Sequence, residues 1–404
     1  MSDKIIFHID VNSAFLSWTA LDRLAAGDTV DLRLIPSIVG GDTSTRHGVV
    51  LAKSIPAKAY GIQTGEPVVN AFRKCPNLVT AAPNHASYRE YSRQLVEFLA
   101  DICPDLEQVS IDECYMDYTP IASKYSSPEA AAAHIRDSVY ARFGFTVNVG
   151  VSDRKVLAKM ASDFRKPNLV HTLYCREIPE KLWPLPVGQL FSCGHSSAET
   201  LKKLGIRTIG ELACADPDIL EAHLKSHGRT LWDYANGRDD SVVITVQAKA
   251  KGIGNSTTLS HDAVTAEDAR KVLLELSESV GRRLRSAHSM AESVCTEIKY
   301  SSFQTASHQM VLDVPTASTD VIYRHACILF DELWNGSPIR LLGVRTARLV
   351  EEDAPIQLSL FDYEAPKSEK QQKLDAALDS IRARYGKDAV KRGSLLDSPK
   401  SPKT

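Results

Sequence analysis

The chain opens on a short apolar run, Lys4 to Ile9 (KIIFHI), rich in β-branched residues and read as a buried strand that ends at Asp10. A helix is predicted to begin near Ser13. Between residues 30 and 80 short strands alternate with turns, punctuated by Gly40-Gly41-Asp42 and by Gly61. Tyr88, Tyr91, Leu95, Phe98 and Ile102 recur at helical steps, which predicts a helix over 88–102. Residues 108–118 (QVSIDECYMDY) read as strands with a turn at Asp112. The pattern then predicts a helix over 128–143, a strand over 145–151 (FTVNVGV), and a helix over 153–165 that stops before Lys166-Pro167-Asn168.

Further along, residues 183–240 read as wholly helical, and 236–252 as a polar, turn-rich linker. Residues 253–350 mix one long helix (267–288) with strands such as 293–299 and 308–314, an α+β pattern. Beyond Glu351 the chain turns polar. A helix is predicted near 369–385, with Leu374, Leu378, Ile381 and Tyr385 on one face, and the end, SPKSPKT, is expected to be disordered. No internal repeat is evident. At 404 residues the expectation is an α+β chain of several domains.

Composition narrows the function classes. Hydrophobic residues make up 43%, enough for real cores. The 48 basic and 50 acidic side chains nearly cancel, so any nucleic-acid contact must come from local patches. Eight scattered cysteines without a CxxC pair argue against a disulfide framework or a zinc site. No apolar run approaches the roughly 18–20 residues that cross a bilayer. The first residues are too short and polar a stretch for a secretion signal, so a cytoplasmic protein is expected.

The candidate chemistry lies in three acids. Asp10 ends the first strand, and Asp112-Glu113 interrupt an otherwise apolar stretch. If the strands are neighbours, the carboxylates converge, repel one another and call for cations. Hard divalent ions suit them: Mg²⁺ commonly takes one or two carboxylates together with substrate phosphates, and two such ions catalyse in-line phosphoryl displacement. Spacing alone equally fits a helix cap at Asp10 and an exposed turn at Asp112-Glu113.

The wording of the sequence adds to this. DVNSAF at 10–15, SIDECYMD at 110–117 and KVLAKMASDFRKPN at 155–168 resemble the Y-family translesion DNA polymerases, in order from about residue 4 to 350. The resemblance implies a right-hand polymerase with a ferredoxin-like palm (1–12 and 80–168) and small fingers (13–79). A helical thumb (169–240), a linker (241–252), an α+β little finger (253–352) and a C-terminal tail (353–404) would complete it. It implies a template-directed, low-fidelity DNA polymerase with two Mg²⁺ ions, acting on primer-template DNA and deoxynucleoside triphosphates, as a monomer with no membrane association.

Residue by residue, it implies that Asp10 and Asp112 bridge both metals and that Glu113 binds the one at the primer 3′-hydroxyl. Val11 would offer its backbone carbonyl to the triphosphate-side ion. Phe15 falls at the steric gate, a ring that leaves no room for a ribose 2′-hydroxyl. Lys166 would reach the triphosphate as a point charge. Val49 and Leu51 would roof the nascent base pair.

Two places depart from the family pattern. Relatives usually carry Ser-Tyr-x-Ala-Arg in the fingers, where this chain has Ser54-Ile55-Pro56-Ala57-Lys58. Ile55 cannot donate a hydrogen bond, and Lys58 keeps the charge without the bidentate fork of arginine. Trp18-Thr19 stand where relatives have a small apolar residue and then Glu.

Residues 190–205 resemble a helix-hairpin-helix in which Gly194 and nearby Lys202 and Lys203 would meet a DNA phosphate. In the little finger, Lys249, Lys251, Arg282, Arg283 and Arg285 are candidates for gripping DNA. Gln357, Leu358, Leu360 and Phe361 match the short peptide by which bacterial polymerases dock in the sliding clamp. The region 367–404 carries a net charge of +5. The other reading left open is a catalytically weak or silent polymerase-like adaptor that links the clamp to repair partners.

Overall fold

The computed structural model describes residues 4–41, 48–246, 249–353, 369–386, 389–390 and 392–393. These fall into two compact units, one holding the described residues up to 246 and the other those from 249 onward.

The first unit is threaded by β1 (Ile6–Val11), α1 (Ala14–Ala25), β2 (Ser37–Gly40), β3 (Val50–Lys53), α2 (Ile55–Ala59), α3 (Val68–Lys74) and β4 (Val79–Ala81). It continues through α4 (His85–Ile102), β5 (Leu106–Gln108), β6 (Glu113–Asp117), α5 (Pro128–Phe143), β7 (Val147–Ser152), α6 (Lys155–Ser162) and β8 (Val170–Thr172). Five short helices follow: α7 (Ile178–Lys181), α8 (His195–Lys203), α9 (Ile209–Ala213), α10 (Pro217–Leu224) and α11 (Ser226–Ala235).

Its main sheet has the order β5-β6-β1-β7-β8. β1 lies at the centre, antiparallel to both β6 and β7, and every one of its residues is buried. That is why its sequence is a continuous apolar run and not an alternation. Successive side chains still point to opposite faces. Phe7, Ile9 and Val11 join the core formed with α4 and α5, whereas Ile6 packs with Tyr115 and with Ala158 of α6. The α6 face is therefore also the face of Asp10.

α6 presses hard on β7. A Cβ on Gly150 would lie 1.9 Å from the Ala158 carbonyl oxygen and 2.6 Å from the Ser162 nitrogen, so only glycine permits this approach. A separate sheet, β3-β2-β4, carries the segment between α1 and α4. The helical stretch after β8 encloses its own core, with Leu182, Leu201, Leu212, Leu220 and Leu231 buried. The stretch 183–240, read as wholly helical, is α-helical over α8 to α11 only; turns join these helices, 183–194 is mostly turns, and Pro186 and Thr208 form an isolated strand-like bridge.

The second unit contains β9 (Gly252–Ala263), α12 (Ala266–Ser286), β10 (Ser289–Tyr300), β11 (Thr305–Thr316), α13 (Thr319–Leu333), β12 (Ile339–Glu351) and α14 (Glu369–Tyr385). The sheet order is β11-β10-β12-β9, antiparallel throughout, with α12 and α13 covering one face. Both sequence-predicted strands are present and longer than their apolar segments.

Further expectations change. Residues 30–80, read as short strands alternating with turns, also hold the helices α2 and α3. Residues 239–244 of the expected linker are tied to the first unit: Val156 N donates to Asp239 (2.8 Å), Ile244 N to Glu107 (2.6 Å) and Lys155 to the Val242 carbonyl (3.1 Å). α14 forms where predicted, with part of its apolar face turned outward. Leu374 (50%) and Tyr385 (67%) are exposed, while Asp375 is 3% exposed. Arg285 pairs with Asp379 (2.6 Å) and Asp375 (3.4 Å), and Arg382 with Glu278 (3.0 Å). Ion pairing, and not the apolar stripe, thus selects the docked face. The same contacts occupy Arg285, and Arg283 donates to the Gly254 carbonyl (2.7 Å), so these two arginines bond within the protein itself.

Candidate active site

Asp10 and Glu113 are direct partners across the β1–β6 ladder, so strand register sets the two carboxylates side by side on the α6 face. Asp112 sits in the turn before β6. Its carbonyl accepts from Val11 N (3.0 Å), and its carboxylate is turned toward the Ser110 hydroxyl (2.7 Å). The three sequence-predicted acids thus share one neighbourhood, with two aligned and the third facing Ser110.

Burial dominates the electrostatics of Asp10 and pushes its pKa up to about 6; Lys166 and Lys159 pull it back, and Glu113 adds to the rise. Lys166 is bonded to Asp10 and Lys159 to Glu113. Asp163 joins both lysines, at 2.8 Å from Lys166 and 3.4 Å from Lys159. For both lysines burial works to lower the pKa, but the carboxylate partners outweigh it and hold the ammonium charged above its ordinary range.

The loop carrying Lys166 is held by two buried amides. Asn12 donates to Asn148 Oδ1 (3.1 Å) and accepts from Asn168 N (2.9 Å). Asn148 donates to the carbonyls of Ser162 (3.1 Å) and Arg165 (2.7 Å). Asn12, Asn148, Lys159 and Asp163 were not singled out from sequence. The available signal was Asn148 inside FTVNVGV, since a polar side chain in a fully buried strand must find partners.

Among the described residues, no group of three His, Cys, Asp or Glu side chains is gathered closely enough to hold a metal. The donors present are the Asp10 and Glu113 carboxylates, with Asp112 and the Val11 carbonyl adjoining. This hard-oxygen set suits Mg²⁺, which completes its shell with water and substrate phosphates and needs no closed protein cage. The buried negative charge now balanced by two ammonium groups is the chemical reason a cation fits here.

Around this floor, Phe15 is half-buried on α1, its ring stacked on Tyr88 with centroids 4.6 Å apart. Val49 is exposed just ahead of β3, and Leu51 is half-buried on it. Ser54 caps α2: its Oγ accepts from Ala57 N (3.0 Å) and donates to the Ile35 carbonyl (2.7 Å). The five-residue helix that follows presents Ile55, 56% exposed, and an exposed Lys58 in its last turn.

In the hairpin region, Ser192 has φ +69° and Gly194 opens α8. A Cβ on Gly194 would meet nothing within 4 Å, so no internal packing demands glycine there. Lys202 and Lys203 lie in the last turn of α8, about 12 Å along the axis from Gly194. Lys202 pairs with Glu199 (2.9 Å). Gln357, Leu358, Leu360 and Phe361 lie outside the described residues. Among the described residues no helix is long and apolar enough to cross a membrane.

Comparison with known proteins bears on the whole chain. The model of the impB/mucB/samB family matches residues 9–163, and that of the family's C-terminal domain matches 250–360. DNA polymerase IV of Clostridium acetobutylicum is 45% identical over 394 residues, covering 98% of each chain. DNA polymerase IV of Acetivibrio thermocellus is 38% identical, covering 97% of this chain and 98% of its own. Among solved structures, a Y-family DNA polymerase chimera of Dbh and Dpo4 aligns with a TM-score of 0.75 at 19% identity, covering 86% of this chain and 99% of that one, a likeness of fold. The chain belongs to the impB/mucB/samB family, the Y-family DNA polymerases, and stands among the DNA polymerase IV enzymes within it.

Proposed function

We propose that this chain extends a primer 3′ end by two-metal phosphoryl transfer, with Asp10, Asp112 and Glu113 as the metal-binding carboxylates. As a member of its family it is a DNA-directed DNA polymerase of the translesion class. The observation that carries the finer reading is the Asp10–Glu113 cross-strand pair, with Asp10 buried and Glu113 half-buried, beside Lys166.

Mg²⁺, when bound by these acids and the Val11 carbonyl, supplies an activated primer hydroxyl and neutralises the triphosphate. The chain's own residues do the rest. Lys166 directs positive charge to the triphosphate, and Lys58 adds a second, exposed charge from the fingers. Phe15 closes the space a 2′-hydroxyl needs, and Val49 and Leu51 cover the nascent base pair. Gly194 offers the start of α8 to a phosphate of the duplex, with Lys202 and Lys203 as further positive charge. The proposed palm comprises 1–12 and 80–168, the fingers 13–79, the thumb 169–240, the linker 241–252, the little finger 253–352 and the tail 353–404. The proposed setting is a cytoplasmic monomer, docked on the sliding clamp through Gln357, Leu358, Leu360 and Phe361.

Primer extension on an undamaged template with Mg²⁺ tests the central claim. Wild-type protein is expected to extend, more weakly as salt rises because phosphate contacts dominate binding. Asp112→Ala is expected to abolish extension. Absence of extension by the wild type with any divalent metal would instead favour the silent-adaptor reading. For the docking peptide, removal of 357–361 is expected to end clamp stimulation while basal synthesis continues.

A further inference from the structure

The Trp18-Thr19 departure from the family pattern meets Phe15 in the structure. Thr19 follows Phe15 by four positions on α1, so both project from the same face of that helix. Opposite them, on α4, lies Tyr88, fully buried. Its ring stacks under Phe15 at 4.6 Å with an interplanar angle of 11°, and its hydroxyl is bonded to that of Thr19 at 2.6 Å. Trp18 closes the far side, tilted against Tyr88 at 5.9 Å and stacked on Tyr91 at 5.9 Å. Asp22, a turn further along α1, accepts from Ser87 (2.6 Å) and Tyr91 (3.2 Å) and so seams the same two helices.

We propose that Thr19 is a positioning residue for sugar selection, holding the Tyr88 ring that supports Phe15. This rests on the reading of Phe15 as the gate. The physical argument is one of enclosure. A half-buried ring keeps its place only as well as the surface beneath it. Tyr88 has a buried hydroxyl that requires a partner, and Thr19 is the partner found. Phe15, Tyr88 and Thr19 form a closed triangle across two helices. The Phe15 ring cannot sink toward α4 unless Tyr88 moves, and Tyr88 cannot slide without breaking a buried hydrogen bond. A Glu at position 19 would bring a charge to a site that is 6% exposed; Thr brings a neutral hydroxyl, and Trp18 fills the apolar volume behind it.

The test is single-nucleotide insertion opposite an undamaged template base, with matched deoxy- and ribonucleoside triphosphates. Thr19→Val and Tyr88→Phe each remove one hydroxyl while keeping the shape of the side chain. Each is expected to raise the ribonucleotide-to-deoxynucleotide kcat/KM ratio by about 3- to 10-fold, the range set by one hydrogen bond of this kind. The change should lie mainly in a lower KM for the ribonucleotide. Thr19→Ser should restore the wild-type ratio, and the double variant should equal either single one, because both lose the same bond. Phe15→Ala is the separate control for the gate: an unchanged sugar preference there would overturn the gate reading itself. If Phe15→Ala relaxes the preference but Thr19→Val and Tyr88→Phe do not, or if they lower both efficiencies equally, the positioning role of Thr19 is wrong and its bond serves only stability.

Discussion

The floor of the candidate site and its fingers edge are built on opposite principles. On the floor, Asp10 and Glu113 are aligned by strand register, and the Lys166 loop is bonded through Asn12 and Asn148. α6 lies so close to β7 that a methyl group would not fit at Gly150. At the edge, Lys58 stands exposed at the end of a five-residue helix whose own anchoring comes from Ser54. Buried charge needs partners fixed in advance, because low dielectric magnifies any mismatch. Exposed charge acts through water and tolerates change. Ile55 and Lys58 alter the exposed edge, while the acids and Lys166 of the floor keep the family's pattern; the other departure, Trp18-Thr19, is buried, and there Thr19 has a fixed partner in Tyr88.

That contrast can be broken at the floor first. Gly150→Ala is expected to cost at least about 4 kcal/mol, since two backbones must separate, and to yield largely insoluble protein with a lowered thermal transition. A stable Gly150→Ala protein would show that the floor gives way far more readily than its contacts indicate. Asn148→Ala, which leaves Asn12 and two backbone carbonyls short of partners, is expected to cost about 2–3 kcal/mol in denaturant unfolding. Equal loss of stability from Asn148→Ala and Lys58→Ala would erase the distinction between the two regions.

At the edge the expected effects are smaller and functional. Lys58→Ala should leave the unfolding midpoint within about 0.5 kcal/mol, as exposed substitutions do. Steady-state insertion should show a KM for the incoming nucleotide raised by roughly 1.5- to 5-fold, the scale of one exposed charge contact. Lys58→Arg should lower that KM below wild type, by about 2- to 5-fold, if the bidentate fork is what the edge lacks. No change in KM with either substituent would place Lys58 outside the nucleotide's reach.

Much of the first unit was legible because its signals are local. β1, α4, α5 and β7 follow from runs and periods that any core imposes. The three acids and Phe15 were named from their motifs, and the structure brings Asp10 and Glu113 into register. The Asn12–Asn148 link was not legible, since it joins residues 136 positions apart through amides that look ordinary in isolation. α14 is another case: its apolar stripe marks a helix correctly but not the docked side, which Arg285, 94 residues away, sets by drawing Asp379 inward. Arg285 and Arg283 show the same limit: a basic residue counted as available for DNA is already bonded within the fold.

By itself the sequence determined most of the strands and helices, though not α2 and α3, together with the hard-oxygen donors of the acids and the two departures from the family pattern. These depend on residue type and on spacing within a single element, where steric periods of two and 3.6 act directly. Only the tertiary structure decided that Asp10 faces Glu113 while Asp112 faces Ser110, that Asp163 links the two lysines, and that Thr19 bonds the Tyr88 on which Phe15 stacks. Each of these turns on which distant element supplies the partner. A hydrogen bond or ion pair has a range of a few ångströms, so its existence depends on packing and not on position along the chain.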